Sequence, residues 1–383
     1  MSGGVRRRIG RRIGAVVRNA LAVLVVGALV ACTPLGADLG DGSAAPRPAA
    51  TPVRMLVVTN RSPSADPATA YSGERADGVG WAEVVVAPTA DDVAAGRPYA
   101  HRPLAPAEAR DWFRAHAARR VLVHVHGFRT DFGKAVHRFA RVVRGSRTDF
   151  EPVLFSWPSR GSIWDYYYDR ESIDGSRDDL ERLLRRIADD PAVGEVAVLA
   201  HSMGSWLAME TVRTMAVSAA GVPRKLRNIV LAAPDLDVGV FDRQMERIGR
   251  HPSVTLVVSR DDRSLQVSKV FGGGFDRLGA TGPNDPRWRR SFCARGVSVV
   301  DVSDLPTTGV TNHYKFSDEP ALLAVLGARL FPDASPGSAA ADTGAVVHRP
   351  LNCGGGPDRD VPSPAPIVVH DPAPPAAHAA AKP

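Results

Sequence analysis

One serine stands in a setting that could make it a nucleophile. Ala200-His201-Ser202-Met203-Gly204 follows an apolar run at 196–200 and leads into a helical pattern at 203–216. A small residue two before and two after a Ser, at a strand-to-helix turn, is the nucleophile-elbow pattern. Such a turn is so tight that those flanking positions must carry almost no side chain, and Ala200 and Gly204 meet that demand. The turn holds Ser202 out at the sheet edge. The next amide, that of Met203, then points from a helix N-terminus at the group the serine attacks.

A nucleophilic Ser needs a base, and the base needs an orienting carboxylate. Eleven His are present, and the chain order for this kind of sheet is Ser, then acid, then His. Of those after Ser202, His251 precedes a strand run and falls at the wrong end of the sheet, while His348, His370 and His378 lie in a low-complexity tail. His313, in Thr311-Asn312-His313-Tyr314, follows the last strand run and is the expected base. The acid should follow the sixth or seventh run. Asp262, three past Ser259, ranks first, Asp235 second and Asp261 third, although each could instead cap a helix. The second oxyanion donor is expected from the amide of Phe128 in His124-Val125-His126-Gly127-Phe128, where Gly127 lets the backbone reach the substrate.

Other patterns carry less. His124 and His126 alternate onto one strand face and could hold a metal, but no carboxylate or cysteine cluster joins them, so no metal is expected. Gly272-Gly273-Gly274 lacks the Lys-Ser/Thr of a phosphate loop and reads as a flexible loop. The aromatic segment 157–168 either walls an acyl group or packs onto the core.

The elements that must position these residues are legible as alternating patterns. Strand runs fall at 54–59, 82–87, 121–125, 152–156, 196–200, 228–233, 254–259 and 297–302, with helical patterns at 134–144, 176–188, 203–216, 240–250 and 319–330. From the third run onward the strands are mostly continuous apolar stretches, as expected when both faces are covered. This predicts an α/β fold with a mostly parallel eight-stranded sheet flanked by helices and an antiparallel hairpin at its start. In such sheets ligands sit at the carboxyl ends of the strands, which is where the candidate residues fall.

Charge and cysteine usage exclude several classes. The chain has 383 residues and a formal net charge of +7. Six arginines before residue 32, with no acid among them, account for nearly all of that excess. The remainder is close to neutral, so nucleic-acid binding is not expected. Arg6 to Arg18 form a basic region, 20–31 a short apolar run, and Leu29-Val30-Ala31-Cys32 reads as a lipoprotein processing site. Residues 1–31 are therefore expected to be a signal peptide, Cys32 the acylated residue, and 32–52 a flexible tether. Adjacent arginine pairs could also mark a twin-arginine export signal. Export leaves Cys293 and Cys353, either a disulfide tying the tail to the domain or two free thiols. Residues 53–333 make one large domain, and 334–383 are Ala/Pro-rich and expected to be disordered.

Taken together, His126-Gly127-Phe128, the stretch 154–161 (Leu-Phe-Ser-Trp-Pro-Ser-Arg-Gly), Asp169-Arg170-Glu171-Ser172, 200–204, 231–237, 259–265, Arg277-Leu278-Gly279, Asn312-His313-Tyr314 and Thr59-Asn60-Arg61 resemble a bacterial α/β-hydrolase family of unassigned function. The resemblance spans about 53–333. Asn312 sits where a Gly is usual, and Arg260-Asp261 where Ser-Asn is usual. The resemblance implies the fold and leaves the substrate open.

The expectation is a lipid-anchored, extracytoplasmic serine hydrolase of the cell envelope, in the outer membrane where the host has one. It acts on a small-molecule or lipid carboxylic ester through an acyl-enzyme, touches the membrane through its N-terminal lipid and needs no cofactor. Two alternatives are an amidase, peptidase or acyltransferase using the same residues, and a non-catalytic envelope binding protein on a hydrolase scaffold. The address is checked separately. Cys32→Ser should leave the precursor unprocessed and without metabolic fatty-acid label, and equal labelling of that variant would refute acylation at Cys32.

Overall fold

The computed structural model describes residues 52–66, 69–87, 99–271, 273–282, 285–305 and 309–333. Residues 1–31, expected to be a signal peptide, all but the end of the expected tether 32–52, and 334–383 lie outside the described residues. Among the described residues no helix is long and apolar enough to cross a membrane.

Among the described residues nine strands form one sheet: β1 (Val53–Pro63), β2 (Tyr71–Val86), β3 (Tyr99–Pro103), β4 (Arg120–Val125), β5 (Glu151–Ser156), β6 (Glu195–His201), β7 (Leu226–Ala232), β8 (Ser253–Val258) and β9 (Ser298–Asp301). Their spatial order is β3-β2-β1-β5-β4-β6-β7-β8-β9. The first three are antiparallel neighbours and all other pairs are parallel. The expected count of eight is corrected to nine. The extra strand, β3, lies at the sheet edge with four of its five residues exposed, so it has no apolar alternation to betray it.

The helices are α1 (Pro106–Ala115), α2 (Phe132–Gly145), α3 (Tyr166–Asp189), α4 (Met203–Val217), α5 (Val238–Ile248), α6 (Arg263–Phe271), α7 (Arg289–Arg295), α8 (Lys315–Asp318) and α9 (Pro320–Leu330). Local chemistry sets several of their starts. Asp131 and Asp237 accept amide hydrogens from Lys134 and Val240 as N-caps, and Pro stands in the first turn of α1 and α9.

Strand alternation feeds two apolar layers. Val121, Val123 and Val125 of β4 join Val196, Val198 and Ala200 of β6 in one, where α4 buries Leu207, Ala208 and Val212. Leu122, Ala197 and Leu199 face the other, where α2 buries Phe132, Val136 and Phe139. The helices after β4 and β6 thus leave toward opposite faces. From β4 the chain steps sideways to β5, and from β6 the opposite way to β7. The carboxyl ends of these two adjacent strands are therefore the switch point at which an open sheet leaves a crevice for a ligand.

Candidate active site

Ser202 occupies the turn between β6 and α4 with φ 52° and ψ −123°. This is a left-handed setting that a non-glycine residue adopts only when its surroundings enforce it. Its amide donates to the Ala232 carbonyl on β7, and its own carbonyl accepts from Ser205 and Asp235 amides. Two close approaches hold the turn. A Cβ on Gly204 would come within 2.3 Å of the His126 carbonyl, and one on Gly127 within 2.9 Å of Ser202 Cβ. The loop after β4 and the turn after β6 therefore touch backbone to backbone, and the small-residue demand read from the sequence has this physical cause.

His313 reaches Ser202 from the loop after β9. Its Nε2 lies 2.9 Å from Ser202 Oγ and its Nδ1 2.6 Å from Asp262 Oδ2. A carboxylate oxygen only accepts, so Nδ1 carries the proton and Nε2 accepts the Ser202 hydroxyl. Asp262 is fully buried, and its other oxygen accepts the Leu265 amide at 3.0 Å, three residues on. It is thus the N-cap of α6 as well as the partner of His313. The two readings of this residue are not alternatives.

The other two acids have partners elsewhere. Asp261 meets the ammonium of buried Lys315 at 3.0 Å and the Asn312 amide at 2.7 Å, and it also accepts the Ser259 hydroxyl. Burial would push its carboxyl up, but the hydrogen bonds from Ser259 and Lys315 outweigh this and hold it below the usual range. Asn312 has φ 61°, which explains why a Gly is usual there; Asn is among the few residues that tolerate this region. Asp235 accepts the Ser268 hydroxyl at 2.6 Å and pairs with Arg277 at 3.4 Å. Neither carboxylate is bonded to His313.

The amides of Met203 and Phe128 donate to no protein group among the described residues. Both flank Ser202, one at the N-terminus of α4 and one on the loop pressed against it. His124, in β4, and His126, just after it, are joined by no third metal-ligating side chain among the described residues. His126 Nε2 faces the Arg61 guanidinium at 3.2 Å and its Nδ1 faces the Gly127 carbonyl at 2.9 Å, so both nitrogens are engaged. His124 Nδ1 faces the Leu199 carbonyl at 3.0 Å and its ring stacks on Phe139.

The aromatic segment divides. Trp157 is buried, stacks on His126 and donates to its carbonyl, while Tyr168 packs against Arg75 and Arg160. Tyr166 instead meets Phe128 edge-on at 5.5 Å and Phe271 at 6.5 Å, beside exposed Trp164 and Tyr167. Of the glycine run, Gly273 and Gly274 close the C-terminus of α6 on the Val270 and Lys269 carbonyls, and Gly272 lies outside the described residues. Cys293 on α7 is disulfide-bonded, whereas Cys353 and Cys32 lie outside the described residues.

Sequence reasoning missed two supports. His201 is buried between Phe316 and His313, and its Nε2 donates to the His313 carbonyl at 3.3 Å. Arg61 at the end of β1 is buried beneath the loop after β4. Its partners come from three separate segments, Ser72, 126–130 and 156–159, so only the Thr-Asn-Arg motif could have pointed to it.

A serine on a strained turn after a central parallel strand, hydrogen-bonded to a histidine that follows the last strand, defines the class of α/β hydrolases. The chain belongs to the family described as alpha/beta hydrolases of unknown function (DUF900), whose model matches residues 105–329. Among solved structures it is similar to carboxyl esterase 2 of the mycorrhizal fungus Tuber melanosporum, at 11% identity and a TM-score of 0.41, over 83% of this chain and 98% of that one. It is also similar to a predicted CIB-like hydrolase of Thermoplasma acidophilum, at 13% identity and a TM-score of 0.33, over 64% and 91% of the two chains. A lipase-esterase related protein of Clostridium acetobutylicum matches at 10% identity and a TM-score of 0.32, over 56% and 95%. No curated protein matches the chain.

The buried imidazoles make stability depend on pH. Burial lowers His124 to about 3 and holds His126 and His201 well below their ordinary value. Below about pH 6.5 the unfolded chain takes up these protons and the folded one does not, so stability is complete above that pH and lost on acidification. Each imidazole kept neutral in the folded state adds to that loss as the pH falls below its unfolded value. Urea midpoints should fall between pH 7.5 and 5.5, and His124→Leu should flatten that slope. Equal midpoints at the two pH values would contradict neutral burial.

Proposed function

We propose that the protein is a serine hydrolase that cleaves carboxylic esters, held by lipid on Cys32 at the outer side of a cell-envelope membrane. The observation that carries the reading is the hydrogen-bonded line from Ser202 Oγ through His313 to Asp262. In this reading Ser202 Oγ attacks the ester carbonyl as its proton moves to His313 Nε2, and Asp262 stabilises the imidazolium that forms. The amides of Met203 and Phe128 receive the charge that develops on the carbonyl oxygen. The alcohol leaves with the proton from Nε2. Water then enters, gives a proton to the same nitrogen and releases the acid from Ser202.

Phe128, Tyr166 and Phe271 supply an apolar flank beside that oxygen site, and Phe271 is 57% exposed. An ester with an apolar acyl group fits this flank better than a charged one, because covering these rings removes apolar surface from water.

Ser202→Ala and His313→Ala should each abolish hydrolysis of an aryl ester with the melting temperature kept, and the double variant should lose little more. Asp262→Asn should lower kcat by roughly 10⁴, since the amide supports the wrong tautomer. Asp261→Asn and Asp235→Asn should each cost about tenfold or less, because their hydrogen bonds end on other groups. Fluorophosphonate labelling of wild type but not Ser202→Ala is the direct test; turnover by Ser202→Ala near that of wild type sinks the reading.

The aromatic flank is tested with acyl chain length. At ~0.8 kcal/mol per buried methylene and partial burial, kcat/KM should rise roughly 10–100-fold from acetyl to octanoyl esters. Tyr166→Ala should flatten the series, and an unchanged chain-length profile in that variant would exclude the flank from acyl binding.

A further inference from the structure

Arg61 uses every hydrogen it has. Nε donates to Ser156 Oγ at 2.9 Å, and one terminal nitrogen donates to the Ser72 and Ser159 carbonyls at 3.2 and 2.9 Å. The other donates to the Thr130 carbonyl at 2.7 Å and faces His126 Nε2 at 3.2 Å. A guanidinium has five N–H donors and no acceptor, so the contact with His126 has one sense: Nε2 accepts. The imidazole proton is then fixed on Nδ1, which donates to the Gly127 carbonyl at 2.9 Å. That carbonyl shares a planar trans peptide with the Phe128 amide, and the two point in opposite directions. Holding the oxygen under the His126 ring turns the N–H outward, on the loop whose glycine lies against Ser202.

The rest of the loop is fixed as tightly. Trp157 Nε1 donates to the His126 carbonyl at 2.8 Å, and Thr130 Oγ1 to the Phe128 carbonyl at 3.1 Å. The amides of Arg129 and Thr130 donate to Asp169 and to Ser159 Oγ.

We infer that Arg61 and His126 are positioning residues for the oxyanion site: Arg61 sets the tautomer of His126, and His126 Nδ1–H aims the Phe128 amide through the Gly127 carbonyl. This rests on the serine-hydrolase reading above, in which that amide meets the developing charge. Neither side chain touches the substrate.

The test separates aim from fold. In His126→Gln the amide stands near the former Nε2 and leaves the Gly127 carbonyl without its donor, whereas in His126→Asn it stands near the former Nδ1 and keeps one. Removing an oxyanion donor outright costs about 10²–10³ in kcat, so misdirecting one should cost His126→Gln about 10–100-fold with KM unchanged. His126→Asn should recover most of that loss. Affinity for an aryl trifluoromethyl ketone, which forms a charged tetrahedral adduct on Ser202, should fall in His126→Gln by the same factor as kcat/KM. Arg61→Lys keeps the charge but not the planar fork, and it should lose kcat over the same range should the glutamine variant not fold.

Equal kcat and ketone affinity in wild type and a folded His126→Gln or Arg61→Lys would overturn the inference, as would equal losses in the Gln and Asn variants. A wild type inert to both ester and ketone would instead remove the hydrolase reading, and this inference with it.

Discussion

The contact on which the rest depends is between two stretches of backbone at the carboxyl ends of β4 and β6. Gly204 and Gly127 lie so close to the opposite segment that a methyl group at either would collide with main chain or with Ser202 itself. Parallel pairing of β4 with β6 through Val125 and Ala200 brings the two segments side by side, and the divergence of their helices to opposite faces opens the crevice above them. Ser202 can hold its unusual φ because the Ala232 carbonyl, the Ser205 and Asp235 amides and the neighbouring loop leave it nowhere else to go. Strain at one residue costs of order 1–3 kcal/mol, well within what a core of two apolar layers can offset.

Three aspartates lie within reach of this crevice, and the partners of each sort them. Lys315 draws Asp261 away with an ammonium that also meets the Val302 and Ser303 carbonyls. Asp235 turns to Ser268 and Arg277. Among the described residues Asp262 has no Lys or Arg in an ion pair with it. Its two oxygens are divided between the first turn of α6 and the ring of His313, so the helix fixes the carboxylate and the carboxylate fixes the ring.

How much of this the sequence disclosed follows from how local each signal is. The apolar runs of β4 to β9 and the Ser202 turn are contiguous patterns, and they lie where the sequence puts them. The edge strand β3 is polar and exposed, so no periodicity marks it. The helix α6 follows Asp262 directly and buries only Leu265, too little for an amphipathic pattern, and the glycine run proves to be its C-terminus. Asp262, Asp235 and Asp261 could be ranked by offset from a strand, yet the features that separate them, Lys315 and Arg277, lie 54 and 42 residues further along the chain. Arg61 is the extreme case. Its five acceptors come from Ser72, His126, Thr130, Ser156 and Ser159, and no window of sequence holds them all.

The three histidines around Ser202 show how one side chain type can serve opposite ends. His126 is buried with a cation against one nitrogen and a carbonyl against the other, and burial followed by Arg61 keeps it from taking a proton. Desolvation in turn lowers Arg61 to about 10, opposed by the charges of Asp131 and Asp169, so the cation survives at neutral pH and donates to its five neighbours. His201 is packed among rings, and burial followed by His313 works against its charge. His313 alone of the three has a carboxylate on one nitrogen and a hydroxyl on the other. A proton arriving on its Nε2 finds a counter-charge already in place on the far side of the ring, whereas on either neighbour it would find none. Two imidazoles held neutral therefore act as rigid hydrogen-bonding spacers, one under the Phe128 loop and one under the His313 backbone, and leave the third as the group equipped to carry a charge beside Ser202.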